Sequence, residues 1–317
     1  MKKFVLGALA LSMMSTAAFA ASHSKNIGVS MALFDDNFLT VLRNGIQADA
    51  DKMGLGVQIE DAQNDVAKQL DQINNFIASG VDAIIVNPVD TSATQAMSDA
   101  AAAANVPLVY VNRQPINVDT LPDNQAFVAS NEVDSGTLET IEVCRLLKEK
   151  GKDNANVYVM MGELSNQAAV QRTADIHDVM AAGKCAVTLN IVDEQTANWS
   201  RDQAQDLMTN WISSGAAFDG VIANNDEMAI GAIQAMKAAG MSMEELVVGG
   251  IDATQDALAA MQAGDLDVTV FQNAAGQGAG ALDAAVKLSN GEAVEQKVYV
   301  PFELVTPANI DNYLKKN

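Results

Sequence analysis

KNIGVSMALFDDNFLTVLRNGIQADADKMGLGVQIED, residues 25–61, is the stretch whose reading decides the fold class. It opens on an apolar run with the length of a strand, continues with apolar residues at helical spacing, and closes on a second strand-like run. Strands are expected near 25–32 and 56–61, with an amphipathic helix near 37–53 between them, which is a β-α-β unit. The rhythm continues with helix 66–79, strand 82–87, helix 91–104 and strand 107–112. Helices that separate consecutive strands let the strands run parallel through right-handed crossovers, so the fold class is α/β with a doubly wound parallel sheet.

A Pro- and Asn-rich stretch at 114–125 breaks the rhythm, and a short apolar segment, AFVAS at 126–130, follows. A second series then begins, with helices near 134–150, 168–182, 201–214, 226–239, 254–263 and 275–289. Strands near 155–161, 186–193, 219–223, 246–251 and 268–272 alternate with them. The chain exceeds what one hydrophobic core serves, so two domains are expected, meeting close to Ser130.

Residues 1–20 read as a signal peptide: a basic start at Lys2 and Lys3, an apolar stretch from Phe4 to Met14, and Ala18-Phe19-Ala20 before the cut. The mature, exported chain is expected to begin at Ala21. No cysteine sits at the cut for a lipid anchor, and no other run approaches the roughly 20 apolar residues that span a membrane. The formal net charge is −21, and loss of Lys2 and Lys3 makes it more negative. That balance argues against nucleic acid and anionic lipid as partners. Cys144 and Cys185 form either one disulfide or two buried thiols, the bridge being the favoured reading. His23 and His177 are isolated and no CxxC spacing exists, so no metal site or cofactor is expected.

Several strand-like runs stop on polar side chains: VYVNR at 109–113, VIANND at 221–226, VGGID at 248–252 and VTVFQN at 268–273. In open α/β sheets ligands bind outside the carboxyl ends of the strands, so these residues point to a small-molecule cleft. Arg113 and Arg172 each offer five donors in a rigid fork that suits vicinal hydroxyls. Asp36 and Asp252 supply acceptors, and Asn225 and Gln272 supply both donors and acceptors. Phe34, Phe38 and Trp199 follow strands and could stack on the C–H face of a sugar or cyclitol ring, although a loop aromatic more often anchors a core. Two arginines against two aspartates leave little surplus positive charge, which disfavours a phosphorylated ligand.

Enzyme signatures are missing: there is no HExxH, GxSxG or Walker A motif, and no nucleophile with a plausible histidine partner. Gly276-Gln277-Gly278-Ala279-Gly280 lacks dinucleotide spacing and reads as close helix packing. An exported hydrolase would need Asp36 and Asp252 as a carboxylate pair, and a repressor would need a helix-turn-helix ahead of the first strand.

VYVNRQP at 109–115, NNDEMAIGA at 224–232, VVGGID at 247–252 and FQN at 271–273, in this order behind a leader, resemble the periplasmic sugar-binding proteins of ABC importers. The resemblance covers essentially the whole mature chain and implies two α/β domains joined by a three-strand hinge. Residues 21–129 plus 273–303 would form the first domain, and 130–272 plus 304–317 the second. By position, Phe38 and Trp199 would stack on the ring, and Asp36 and Arg113 would contact hydroxyls from the first domain. Arg172, Asn225, Asp252 and Gln272 would do so from the second domain and hinge. Asn112 stands where ribose-type members carry Asp, which argues against ribose. The stretch 112–144 is more similar to inositol and rhizopine binders, and no DxNxDxQ calcium loop of the galactose type is found. The resemblance thus implies a monomeric, non-enzymatic periplasmic binder of a neutral cyclitol, myo-inositol first, serving a membrane permease. A ribose- or galactose-type binder that also acts as chemoreceptor adaptor is the alternative.

Overall fold

The computed structural model describes residues 24–316, and the expected leader at 1–20 lies outside the described residues. Strand β1 (Asn26–Met31), helix α1 (Asn37–Met53), β2 (Gly56–Asp61), α2 (Val66–Ser79), β3 (Ala83–Val86), α3 (Thr94–Ala103), β4 (Leu108–Val111) and β5 (Gln125–Ala129) come first. Next come α4 (Glu132–Glu149), β6 (Asn154–Met161), α5 (Gln167–Ala181), β7 (Thr188–Thr196), α6 (Arg201–Ser213), β8 (Gly220–Ala223) and α7 (Asp226–Ala238). The chain ends with β9 (Val247–Gly249), α8 (Gln255–Gln262), β10 (Thr269–Phe271), α9 (Ala274–Ser289), β11 (Lys297–Tyr299) and β12 (Glu303–Val305).

Two parallel sheets result. One runs β2-β1-β3-β4-β5-β11 and the other β7-β6-β8-β9. The first strand of each, β1 or β6, lies inside its sheet, so the strand order reverses there and a crevice opens at the carboxyl ends. The two sheets share this switch, and their crevices form the walls of the site described below.

Burial follows the two-residue period of a strand covered on both faces. Ile27, Val29, Ile85, Val109 and Val128 pack with Leu42, Ile46 and Leu282 of α1 and α9, whereas Ile84, Val86, Tyr110 and Phe127 pack with Ile73, Phe76 and Met97 of α2 and α3. At Gly28 a Cβ would lie 2.5 Å from the Phe76 ring, so only glycine lets α2 settle there. In the second sheet Val157, Val159 and Ile222 face α4 and α5, while Tyr158, Met160 and Val221 face α6 and α7. Each sheet with its helices is called a lobe from here on. The chain passes between lobes after β5, β10 and β11, and β10 pairs antiparallel with β12.

The cysteines are bonded: Cys144 on α4 and Cys185 beyond α5 form a disulfide with an S–S distance of 2.02 Å. The AFVAS segment is β5, fully buried between β4 and β11. Strands β11 and β12 have no counterpart in the sequence reading, since three residues each, partly exposed, are too few for a period to show. Strand β7 runs to Thr196, beyond the expected end at 193.

Candidate functional site

Helices α1, α5 and α7 start where strands end, and each carries a capping side chain at the crevice. Asp36 Oδ1 accepts from the Leu39 N–H at 2.7 Å, Asn166 Oδ1 from Ala168 at 3.1 Å and Asn225 Oδ1 from Met228 at 3.0 Å. Capping fixes these side chains and leaves their remaining polar atoms for another partner. All three line one cavity between the lobes.

Nine residues expected from sequence share that lining: Asp36, Phe38, Asn112, Arg113, Arg172, Trp199, Asn225, Asp252 and Gln272. Phe34 does not line it; the ring is half-buried against the first-lobe core, with the Arg43 guanidinium 4.1 Å from its centroid. Leu39, Glu132, Asn166 and Ala168 complete the lining and were not foreseen. Asn166 carried a usable signal, an Asn directly before a helical pattern, as at Asn225. Glu132 carried none, because an acid in the first turn of a helix ordinarily complements the dipole.

The two arginines are buried. Arg172 makes a two-pronged pair with Glu132, Nε to Oε2 at 2.7 Å and Nη2 to Oε1 at 3.1 Å, and donates through Nη1 to the Asn224 carbonyl at 2.7 Å. Nη2 also reaches Gln272 Oε1 at 3.4 Å, and Asp252 Oδ1 lies 3.9 Å from Nη1. Burial works against the Arg172 charge, but Glu132 and Asp252 more than compensate and raise its pKa. Arg113 instead donates through Nη1 to the Pro88 and Val89 carbonyls at 3.2 and 3.3 Å, with Glu163 of the second lobe 3.6 Å away. Burial lowers its pKa, with Glu163 and Asp36 pulling it back.

Asp252 is held in a backbone shape that L residues rarely adopt, φ 128°, and Ala253 follows at φ 52°. The fully buried Asp226 supports this turn by accepting from the Thr254 N–H at 2.8 Å and the Thr269 hydroxyl at 2.7 Å. Gly250 allows that approach, since a Cβ there would stand 2.5 Å from Asp226 Oδ1. Strain at one residue fixed by its surroundings is what a ligand-facing carboxylate needs in order to keep its aim. Burial drives the Asp252 carboxyl well above its usual range, against the pull of Arg172, and Asp226 and Asp36 push it further. Asn112, at φ 66°, is set by its neighbours too: it donates to Gln277 Oε1 at 3.2 Å and accepts from Asn87 Nδ2 at 3.3 Å.

Trp199 also has left-handed backbone, φ 62°, and its ring lies on Gly162, where a Cβ would come within 2.2 Å of it. The Arg172 guanidinium sits 5.6 Å from the indole centroid on one side of the same wall. The cavity between the lobes has a volume of about 40 Å³. Its ionisable lining is Asp36, Glu132 and Asp252 beside Arg113 and Arg172.

A model of the periplasmic binding protein domain matches residues 27–293. The chain belongs to that family. A Rhizobium meliloti protein assigned to rhizopine binding is 65% identical to this periplasmic binding protein over 318 residues, all of both chains. The solved ABC transporter solute-binding protein of Bacillus halodurans, with myo-inositol bound, superposes with a TM-score of 0.86 at 40% identity, covering 94% of this chain and all of that one. The Caulobacter myo-inositol-binding protein bound to myo-inositol gives 0.82 at 30% identity, covering 92% and 96%. These relatives are substrate-binding proteins and not enzymes.

Proposed function

We propose that this protein is the periplasmic solute-binding subunit of an ABC importer and that it captures a neutral cyclitol, myo-inositol, by closing two lobes around it. The observation that carries this reading is the lining of the cavity, where Trp199 and Phe38 stand beside buried forked and amide donors from both lobes. Charge-assisted hydrogen bonds contribute roughly 1.5–3 kcal/mol each, so a few of them hold a polyol tightly once water is excluded. Three acids beside two arginines leave no surplus positive charge for a phosphorylated ligand. On this reading, residues 21–129 plus 273–303 form one domain and 130–272 plus 304–317 the other. The leader is cut after Ala20, the mature protein works as a monomer, and a membrane permease receives the ligand from the closed form.

A thermal-shift screen against inositols, pentoses, hexoses and alditols tests the ligand. Binding stabilises the native state by RT ln(1 + [L]/Kd), about 4 kcal/mol at a thousandfold excess over Kd. The expected result is a large shift with myo-inositol and little with ribose; the reverse order overturns the cyclitol reading.

A further inference from the structure

Outside the inner cavity the cleft widens into a second chamber of about 440 Å³. Asp36, Arg113 and Trp199 line both spaces and therefore form the neck between them. The remaining walls are polar and come from both lobes, with Asn37 and Asn64 on one side and Glu163, Asn198, Gln203 and Glu227 on the other.

These groups are held by one another. Asn64 Nδ2 donates to Glu163 Oε1 at 3.1 Å and Asn37 Nδ2 to Glu227 Oε1 at 2.8 Å, both across the cleft. Asn198 Nδ2 donates to Gln203 Oε1 at 2.8 Å. Arg201, also in the lining, fixes Glu227 through Nε at 2.8 Å and Nη2 at 3.0 Å. Each amide that gives one N–H to such a bond keeps a second for a ligand, and each carboxylate keeps spare lone pairs. The chamber is thus a set of oriented hydroxyl-reading groups joined to a much smaller inner cavity of about 40 Å³.

We propose that this chamber is a subsite for a second hydroxylated group linked to the ring, so that the protein takes cyclitol glycosides as well as the free cyclitol. The proposal rests on the reading that the inner cavity holds the cyclitol. A linked sugar has no room inside, and the neck is the way out. Acid outnumbers base in the chamber, with Asp35, Asp36, Glu163, Asp202 and Glu227 against Arg113 and Arg201, so the second group is uncharged and a phosphate is rejected.

Calorimetry with myo-inositol, with mono-O-galactosyl myo-inositols substituted at each hydroxyl in turn, and with myo-inositol monophosphate tests this. The protein is used as wild type and as Gln203→Trp, an exposed position on α6 that lines the chamber and not the inner cavity. At least one galactoside is expected to bind wild type within tenfold of myo-inositol, and the phosphate at least a hundredfold more weakly. Gln203→Trp should weaken that galactoside thirtyfold or more and leave myo-inositol within twofold. Myo-inositol binding with no galactoside binding overturns the subsite and leaves the inner site standing, as does an equal loss of both ligands in the variant. If another monosaccharide binds in place of myo-inositol, the inner-site reading falls, and the subsite is judged by the same comparison on that sugar and its galactosides.

Discussion

Arg172 has its carboxylate partner, Glu132 at 2.7 Å, within its own lobe, whereas the nearest ion-pair partner of Arg113 is Glu163, 3.6 Å away on the opposite lobe. Asp36, in the lobe of Arg113, attracts that arginine as well but already caps α1. The two guanidinium groups face the same cavity with different dependence on the arrangement of the lobes. On the proposed clamshell motion, Arg172 keeps Glu132 whether the lobes are apart or together, whereas Arg113 gains Glu163 only when they are together, so that pair would supply part of the drive toward closure. One lobe is therefore the prepared half of the site and the other the responsive half.

Removing the partner of the prepared arginine gives the largest expected effect. Glu132→Ala leaves a buried guanidinium without its carboxylate, which costs about 3–5 kcal/mol of stability in ligand-free protein. Glu163→Ala, measured by urea unfolding in the same way, should cost under about 1 kcal/mol, because the pair it removes is 3.6 Å apart and partly exposed. Similar losses in the two variants would break the comparison.

Next in size is Arg113→Ala, expected to weaken ligand binding by about 3 kcal/mol or more, over a hundredfold in Kd, while the melting temperature without ligand stays within a few degrees. Arg145→Ala, at a surface arginine paired with Glu142 and Glu149 on α4, should leave Kd unchanged. Calorimetry showing equal affinity for wild type and Arg113→Ala would return this residue to a structural role.

How much of this was legible in the sequence differs between fold and site. The β-α alternation shows as a change of period, and polar residues at the ends of apolar runs marked five of the lining residues, Asn112, Arg113, Asn225, Asp252 and Gln272, because strand ends meet at the crevice. Phe34 lies off this lining because an aromatic after a strand looks the same whether it turns to the cleft or to the core, and the Arg43 that covers it lies nine positions further along, within α1. Glu132 and Glu163 escaped because ion pairs between residues 40 or 50 positions apart leave no local pattern. The role of Asp226 was hidden for a related reason: it sits in the recognisable NNDEMAIGA stretch, but its partners Thr254 and Thr269 belong to other elements.

The disulfide sharpens the contrast between lobes, since it ties α4 to the end of α5 wholly within the prepared one. Closing a loop with a sequence separation of 41 restricts the unfolded chain, and its loss should cost about 2–4 kcal/mol. Because the link spans no crossing between lobes, Cys144→Ala with Cys185→Ala should lower the urea midpoint and leave Kd within twofold. A tenfold loss of affinity would show that the bridge also holds Arg172 in place.

The smallest expected effect concerns protons in the prepared lobe. Asp175, buried on α5, has its pKa pushed up to about 7 by burial, eased by the Gln171 amide and reinforced by Glu132 and Asp178. Asp226 is pushed up to about 6 by burial, against the Thr254 and Thr269 donors. An unfolded aspartate titrates near 4. Between about pH 4 and pH 7 the native state therefore keeps protons that the unfolded chain has lost, and stability falls as pH rises through this window. Below it both states are protonated and the contribution is fully present; above it both are ionised and the contribution is gone. The melting temperature should thus be higher at pH 5 than at pH 7.5, at constant ionic strength. Asp175→Asn, neutral at every pH, should gain about 1–2 kcal/mol over wild type at pH 7.5, less than the full shift implies because neighbouring groups relax. The gain should shrink toward zero near pH 4.5. An equal gain at both pH values would mean that the asparagine acts by packing, and a melting temperature that rises from pH 5 to 7.5 would place the dominant titrating groups outside this lobe.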